Sequence, residues 1–370
     1  MGHLRSVFFD FAHGAVLFSA LIIQLLILNR ASDIAVALGV VDHPDEVRKH
    51  HQRATPLVGG LAIMTTLLLW TAVSLIGGNS ADASLKLAIL LCGFGATLIG
   101  YADDQSSTSP SSRILILFLL STISQIISPH LLPGTLHWSH FAAWTLAPWT
   151  SYALIAVALA GLVNAVNMAD GQDGIVVGMF IIWSICLMAT TSGLPQDLAF
   201  VLFVSCTIAL AFNLLGRVFL GDAGTYGVTF VFGILAINAH NTGAVSAETV
   251  AVWFFIPIVD CLRLMISRVR RGQAPSEGDR NHFHHRLQDV FGTTYSCIIY
   301  LGAVGASSLM ATLVPKLSLV CLALLCAFYS VLMRPIAGEI RRAVRRSGDR
   351  QLRASGDGMV LLSQDRHPSR

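Results

Sequence analysis

The chain is short of charge. Only 12% of its 370 residues are Asp, Glu, Lys or Arg and 54% are apolar, against about 25% charged in an ordinary soluble domain. A water-soluble globular body is thereby excluded, and the chain reads as a polytopic membrane protein. Cysteine chemistry is lacking too. The seven cysteines are odd in number, form no Cys-x-x-Cys pair and fall within or beside apolar runs, so neither a disulfide framework nor a zinc centre is indicated and packing roles are expected. The net charge of +3 is small and unevenly placed; it speaks of topology and of affinity for anionic lipid heads, not of nucleic acid. No segment is polar and long enough to stand as a soluble domain. The first apolar run is too long for a secretory h-region and lacks a small-residue cleavage pattern, so it reads as a retained helix.

What the sequence has in abundance is apolar runs of roughly 20 residues, the length that crosses a bilayer. They lie at residues 7–28, 58–76, 85–101, 114–132, 150–166, 175–191, 198–215, 226–240, 250–267, 297–314 and 317–333. The expected fold is therefore all-α, with about eleven transmembrane helices. Positive charge sets the orientation. With the amino terminus outside, the outward loops hold only Arg5, Lys86 and Lys316, whereas Arg48, Lys49, Arg53, Arg113, Arg217, Arg268, Arg270, Arg271, Arg280 and Arg286 are cytoplasmic, as is the carboxyl terminus. Trp138, Trp144 and Trp149 then mark an outward aromatic belt or a partly embedded hairpin. Residues 1–340 read as one membrane domain and 341–370 as a basic, disordered cytoplasmic tail.

On this topology every strong polar insertion falls on the cytoplasmic face: residues 42–60, 102–113, 164–174, 213–225 and 268–295. Ionisable groups at the ends of apolar spans are costly unless they face a cavity, a partner or an ion, so these insertions are candidate functional sites. Asp103 and Asp104 close the third span as GYADDQ. Adjacent carboxylates on a helix end point about 100° apart and can reach one cleft; a solvated helix end is the bland alternative. Arg113 opens the fourth span, where a snorkelling side chain is the simpler reading.

In NAVNMADGQDG the polar residues Asn164, Asn167, Asp170 and Asp173 recur at every third position, and Gly171 and Gly174 end or break the helix, so the string can wrap a ligand. In the FLGDAG string, Asp222 stands between Gly221 and Gly224; it can cap a helix, or ligate a metal beside backbone N–H groups. Phe219, three residues earlier, would alone be a core residue. In DRNHFHH, His282, His284 and His285 beside Arg280 and Arg286 offer either a transition-metal cluster or a cationic pocket for a diphosphate. Without a cysteine, and with acids suited to a hard cation, phosphate recognition is preferred.

The segments VDHPDEVRKHHQRATPLVGG, GYADD, NAVNMADGQDG, FLGDAG and DRNHFHH, in that order and on one face, resemble the polyprenyl-phosphate N-acetylhexosamine-1-phosphate transferases, and most of all their bacterial WecA-like branch. Any one motif is weak; five in register are specific. The resemblance implies an enzyme of the bacterial cytoplasmic membrane. It would transfer a sugar 1-phosphate, GlcNAc 1-phosphate first among the choices, from a UDP-N-acetylhexosamine to undecaprenyl phosphate. UMP would be released, and a cell-surface glycan such as O-antigen, common antigen or a teichoic-acid linkage begun.

By motif, Asp222 and Asn167 would bind Mg²⁺, with Mn²⁺ as a substitute, and Phe219 would stack on uracil. Asp170 and Asp173 would hold the nucleotide, Arg113 would meet the acceptor phosphate, and the Asp103–Asp104 pair would activate or position it. His282, His284 and His285 would serve the diphosphate or sugar. Asn164, Asn213, Lys49 and Arg280 complete the expected substrate contacts. Membrane lipid is an expected partner, nucleic acid is not, and a homodimer is left open. The chain departs from the pattern at Ser107, where the family often has an acid, and at Thr225, where serine is common. Two other readings remain: a sister enzyme using UDP-N-acetylmuramoyl-pentapeptide or a 6-deoxy donor, and a cation-coupled transporter, against which stand the terminal placement of the acids and the absence of a repeat.

Overall fold

The computed structural model describes residues 2–43, 54–77, 82–274 and 281–334. Lys49, Arg280 and the tail 341–370 lie outside the described residues. The chain forms two units, Met1–Leu325 and Cys326–Arg370; the second, described only to residue 334, carries the end of the last helix.

The expectation of an all-α membrane protein is met. The helices are α1 (Gly2–Asn29), α2 (Ala31–Leu38), α3 (Gly59–Gly77), α4 (Ala83–Ala88), α5 (Phe94–Gln105), α6 (Pro110–Ile127), α7 (Pro148–Ala169), α8 (Ile175–Thr190), α9 (Leu194–Leu214), α10 (Gly221–Asn241), α11 (Ala247–Trp253), α12 (Phe255–Arg270), α13 (Phe283–Phe291), α14 (Thr293–Leu313) and α15 (Ser318–Met333). A π-helical stretch, Ile89–Gly93, joins α4 to α5. Among the described residues the strands are two short antiparallel pairs, Val41–Asp42 with Thr55–Pro56 and Thr135–Leu136 with Trp144–Thr145. In the second hairpin Trp138 and Trp144 meet at 5.0 Å between ring centroids, and Trp149 at the start of α7 is exposed.

The span count differs from the expected eleven. Among the described residues, eight helices are long and apolar enough to cross a membrane, or ten if each of two bent pairs is one span. The sixth expected window is α8, whose 16 residues reach only about 24 Å at 1.5 Å per residue, less than the roughly 30 Å hydrocarbon core. One bent pair has a chemical cause. Pro257 has no N–H to give the carbonyl of Trp253, and α11 and α12 meet at 72°. That carbonyl accepts the indole N–H of Trp183 at 2.9 Å instead.

The centre of the bundle is α10, which packs on α3, α5, α7 and α8 and is buried nearly all round, whereas only 22% of α6's most apolar window is buried. Its amino-terminal half permits this because it is built of small residues, Gly221, Ala223, Gly224 and Gly227, over which backbones can approach closely. Gly60 of α3 lies so close to the backbone of Gly224 that a Cβ would overlap it, and Gly100 of α5 stands in the same relation to the carbonyl of Asp222. The segment before α10 is bonded through its backbone to the amino-terminal region. Phe219 N–H donates to Pro56 at 2.9 Å, and the amides of Gly59 and Gly60 donate to Phe219 and Leu220 at 3.0 and 2.8 Å.

Because the obstacle at Gly60 is backbone and not a movable side chain, Gly60→Ala should destabilise the protein by about 1–3 kcal/mol. This would read as a lower thermal midpoint of detergent-solubilised protein; an unchanged midpoint would show that α3 and α10 are not in this contact.

Candidate active site

The carboxyl ends of α5 and α7, the start of α10 and the amino-terminal part of α13 enclose a cavity of about 500 Å³. Its described lining includes five carboxylates, Asp42, Asp104, Asp170, Asp173 and Asp222, together with Asn213, Phe219 and His285, and no lysine or arginine.

The acidic pair on α5 is split between two environments. Both oxygens of Asp104 accept amides at the start of α10: Oδ1 from Asp222 N–H at 2.8 Å and Oδ2 from Ala223 N–H at 2.9 Å. The cap that the sequence left open for Asp222 is thus supplied by Asp104, and the Asp222 carboxyl is released to the cavity and to its neighbour Asp103. Asp103 is buried and surrounded by donors. Oδ1 accepts the Thr108 amide at 2.7 Å and hydroxyl at 2.9 Å; Oδ2 accepts the Arg113 guanidinium and, at 3.3 Å, the Tyr226 hydroxyl. Arg113 is therefore turned inward onto Asp103 and does not snorkel. Thr108 also answers the question raised by Ser107: the uncharged loop reaches the pair through a threonine one residue later.

The Asn164–Gly174 string does wrap. Asn167, in the last turn of α7, accepts the Thr225 hydroxyl at 3.3 Å, which places its amide one helical turn from Asp222. Asp170 then leaves the helix. It opens on the cavity, yet protein crowds its other sides; that loss of bulk water, then the charges of Asp173 and Asp104, push its pKa up to about 7. The loop is tied at three points. Gln172 donates to the Thr293 carbonyl at 2.7 Å and accepts Ser296 Oγ at 2.9 Å. Asn213 accepts the Gly174 amide at 2.7 Å and donates to Asp173 and to the Val218 carbonyl at 3.2 and 3.0 Å. Asn213, expected as a substrate contact, is thus buried and fastens the loop. Asn164 lies a turn deeper, its amide against the sulfurs of Met168 and Cys261, outside the cavity lining.

The histidines sit at the start of α13, and Asp260 and Arg263 of α12 hold them there. Asp260 Oδ2 accepts the Phe283 amide at 3.1 Å and lies 3.6 Å from His282 Nδ1; Arg263 bonds Asp260 at 2.8 Å and the Asn281 carbonyl at 2.5 Å. His284 is 1% exposed, stacks on His282 and meets His285 at a tilt, with ring centroids 5.4 and 4.2 Å away, and its Nε2 lies against Gly171, with no hydrogen-bond partner among the described residues. Burial, then the adjacent His285 and His282, hold its pKa well below the usual imidazole range, so it is neutral at pH 7. This corrects the picture of a uniformly cationic histidine pocket: of the three, His285 faces the cavity.

Among the described residues no three of His, Cys, Asp and Glu group closely enough to hold a metal by themselves. A cation held jointly by Asp222, the nearby Asn167 and oxygens of a bound ligand fits the donor set, since Mg²⁺ commonly takes one or two protein groups plus phosphate oxygens and water. Sequence reasoning missed Asp42, Tyr226, Asp260 and Arg263. Asp260 and Arg263 carried a visible signal, an acid and an arginine three apart inside an apolar window; Tyr226 carried none.

Comparison with known proteins gives the class first. Residues 86–240 match glycosyl transferase family 4, a range that holds the acidic pair, the wrapped string and the Asp222 turn. The chain is 28% identical, over 94% of its length and 98% of the other's, to the undecaprenyl-phosphate alpha-N-acetylglucosaminyl 1-phosphate transferase of Escherichia coli (strain K12). It is 27% identical to the protein of that name from Yersinia pestis, over 88% of this chain and 92% of that one. It is 26% identical, over 87% of this chain and 90% of that one, to the probable undecaprenyl-phosphate N-acetylglucosaminyl 1-phosphate transferase of Bacillus subtilis (strain 168). These matches bear out the resemblance carried by the five motifs, and the chain is a membrane-embedded enzyme of the phosphotransferase class.

Gly171 permits the contact between the wrapped loop and the histidine helix, since a Cβ there would fall on His284 Nε2. Gly171→Ala should cut transferase turnover by about tenfold or more by shifting one wall against the other. The thermal midpoint should hardly change; full activity would show that the two walls are not coupled.

Proposed function

We propose that the enzyme transfers GlcNAc 1-phosphate from UDP-GlcNAc to undecaprenyl phosphate at the cytoplasmic face of a bacterial inner membrane, forming a lipid-linked diphosphate sugar that starts a surface glycan. The observation that carries this reading is the cavity itself: five carboxylates with no described lysine or arginine, at the ends of membrane helices. Such a wall repels a bare anion and accepts one that arrives with a divalent cation. The names of the relatives supply the substrates.

In the step proposed, an oxygen of the acceptor phosphate forms a bond to the β-phosphorus of the donor, and the bond from that phosphorus to the bridging oxygen breaks, its electron pair leaving with UMP. Mg²⁺, held by Asp222 and Asn167, would screen the two anions and stabilise the leaving diphosphate oxygen. Phe219 offers a face for uracil, and His285 and Asp170 flank the diphosphate. Asp103 is unsuited to general-base work because its oxygens already accept four donors. No base is demanded either, since a phosphate monoester with a second pKa near 6 is largely ionised at pH 7. Asp103 instead holds Arg113 at the height of the acceptor phosphate.

Purified protein given Mg²⁺, undecaprenyl phosphate and UDP-GlcNAc labelled at the β-phosphorus should move the label into lipid and release unlabelled UMP, and excess UMP should drive the label back. Release of UDP would refute the mechanism. Turnover only with the muramoyl-pentapeptide or a 6-deoxy donor would move the enzyme to a sister branch.

Asp222→Asn should fold normally and lose about two orders of magnitude or more of Mg²⁺-dependent transfer. Unchanged turnover with unchanged Mg²⁺ dependence would remove Asp222 from the metal site.

A further inference from the structure

We infer that Asp104 is a positioning residue that sets the metal affinity of the site by gripping the backbone of Asp222, and that it takes no part in activating the acceptor. The inference rests on the transferase reading above. Its geometry is independent of that reading. Asp222 is held from both sides by one face of α5. Gly100 lies against its carbonyl, and Asp104, four residues later and so on the same helix face, accepts its amide at 2.8 Å and that of Ala223 at 2.9 Å. Gly221 enters α10 at φ +75°, and a Cβ there would lie 2.9 Å from Asp104 Oδ2, so only glycine lets the carboxylate come this close. Both oxygens are thus committed to the α10 amides. The Asp222 carboxyl is carried on this backbone, whose amide has no other tertiary partner among the described residues. Asp103 differs: it answers to Thr108, Arg113 and Tyr226 and to the Asp222 side chain, so Asp104 holds the Asp222 backbone while Asp103 meets its carboxyl.

Asn at position 104 keeps the size but presents one NH₂ where an acceptor is required, so a donor faces one of the two amides. Asp104→Asn is therefore the direct test. Mn²⁺ binding to the purified full chain in lipid nanodiscs with UMP, followed by electron paramagnetic resonance, should weaken by about tenfold or more, the scale of lost support behind a metal ligand. The Mg²⁺ concentration for half-maximal transfer should rise by a similar factor, while kcat at saturating Mg²⁺ and the acid limb of its pH profile stay within about threefold of the parent. If Asp104→Asn fails to fold, Asp104→Glu keeps the charge and both acceptors on a longer arm and should show weakened Mn²⁺ binding with a retained pH profile. Unchanged Mn²⁺ binding in either variant overturns the inference, as does loss of kcat at saturating metal with loss of the acid limb, which would make Asp104 an acid–base group. Failure of the unaltered protein to bind Mn²⁺ with UMP would instead sink the transferase reading.

Discussion

The structure depends on how the buried start of α10 satisfies its backbone amides. The first turn of any helix leaves N–H groups without intrahelical partners, and within a membrane bundle water is not freely at hand to take them. A carboxylate from the neighbouring helix answers the amides of Asp222 and Ala223, and it complements the positive end of the α10 dipole as well. The solution constrains everything around it. For Asp104 to reach, α5 must end level with the start of α10, which the glycine at position 100 permits; α3 must lie flush, which Gly60 permits; and the segment ahead of α10 must bond to residues 56–60. Three of the polar insertions meet at one depth because one helix start has to be capped.

The same arrangement explains how so many carboxylates share one cavity. Each acid with a structural duty has it discharged by hydrogen bonds: Asp104 by α10 amides, Asp103 by four donors, Asp173 in part by Asn213. Asp170 lines the cavity, and loss of bulk water, then the charges of Asp173 and Asp104, raise its pKa, an effect that a bound cation would oppose. Asp222 is the acid whose backbone is fixed and whose carboxyl meets both the space and Asp103. Rigid backbone with an available carboxylate is the condition a metal ligand has to meet.

The sequence made the polar strings legible because ionisable residues interrupt apolar runs, and the five segments expected to converge do so wherever they are described. What it could not convey was which atoms would be consumed in holding the wall together. Asn213 and Asp104 look like ligand contacts in a linear reading, and their geometry makes them fasteners, as it does the adjoining Gln172. Asn164 shares the three-residue rhythm with Asn167, but a helix advances 100° per residue, and by that turn it has rotated onto Cys261. Hydropathy windows likewise record apolar length and not helix ends, so the 16 residues of α8 were counted as a full crossing, while the bend before α12 was foreshadowed only by Pro257.

The histidine segment carries the same lesson one step further. Three imidazoles in four residues suggest a shared task, yet the helix start distributes them. His282 lies with Nδ1 3.6 Å from Asp260, the carboxylate that fixes the Phe283 amide. His284 is driven neutral by burial and fills the space that Gly171 leaves, joining α13 to the wrapped loop. The imidazole left at the cavity is His285. A diphosphate lying between Asp222 and α13 would therefore meet one histidine directly, with the other two setting where that histidine stands, and the H-x-H-H spacing follows from those three separate duties, not from a common charge.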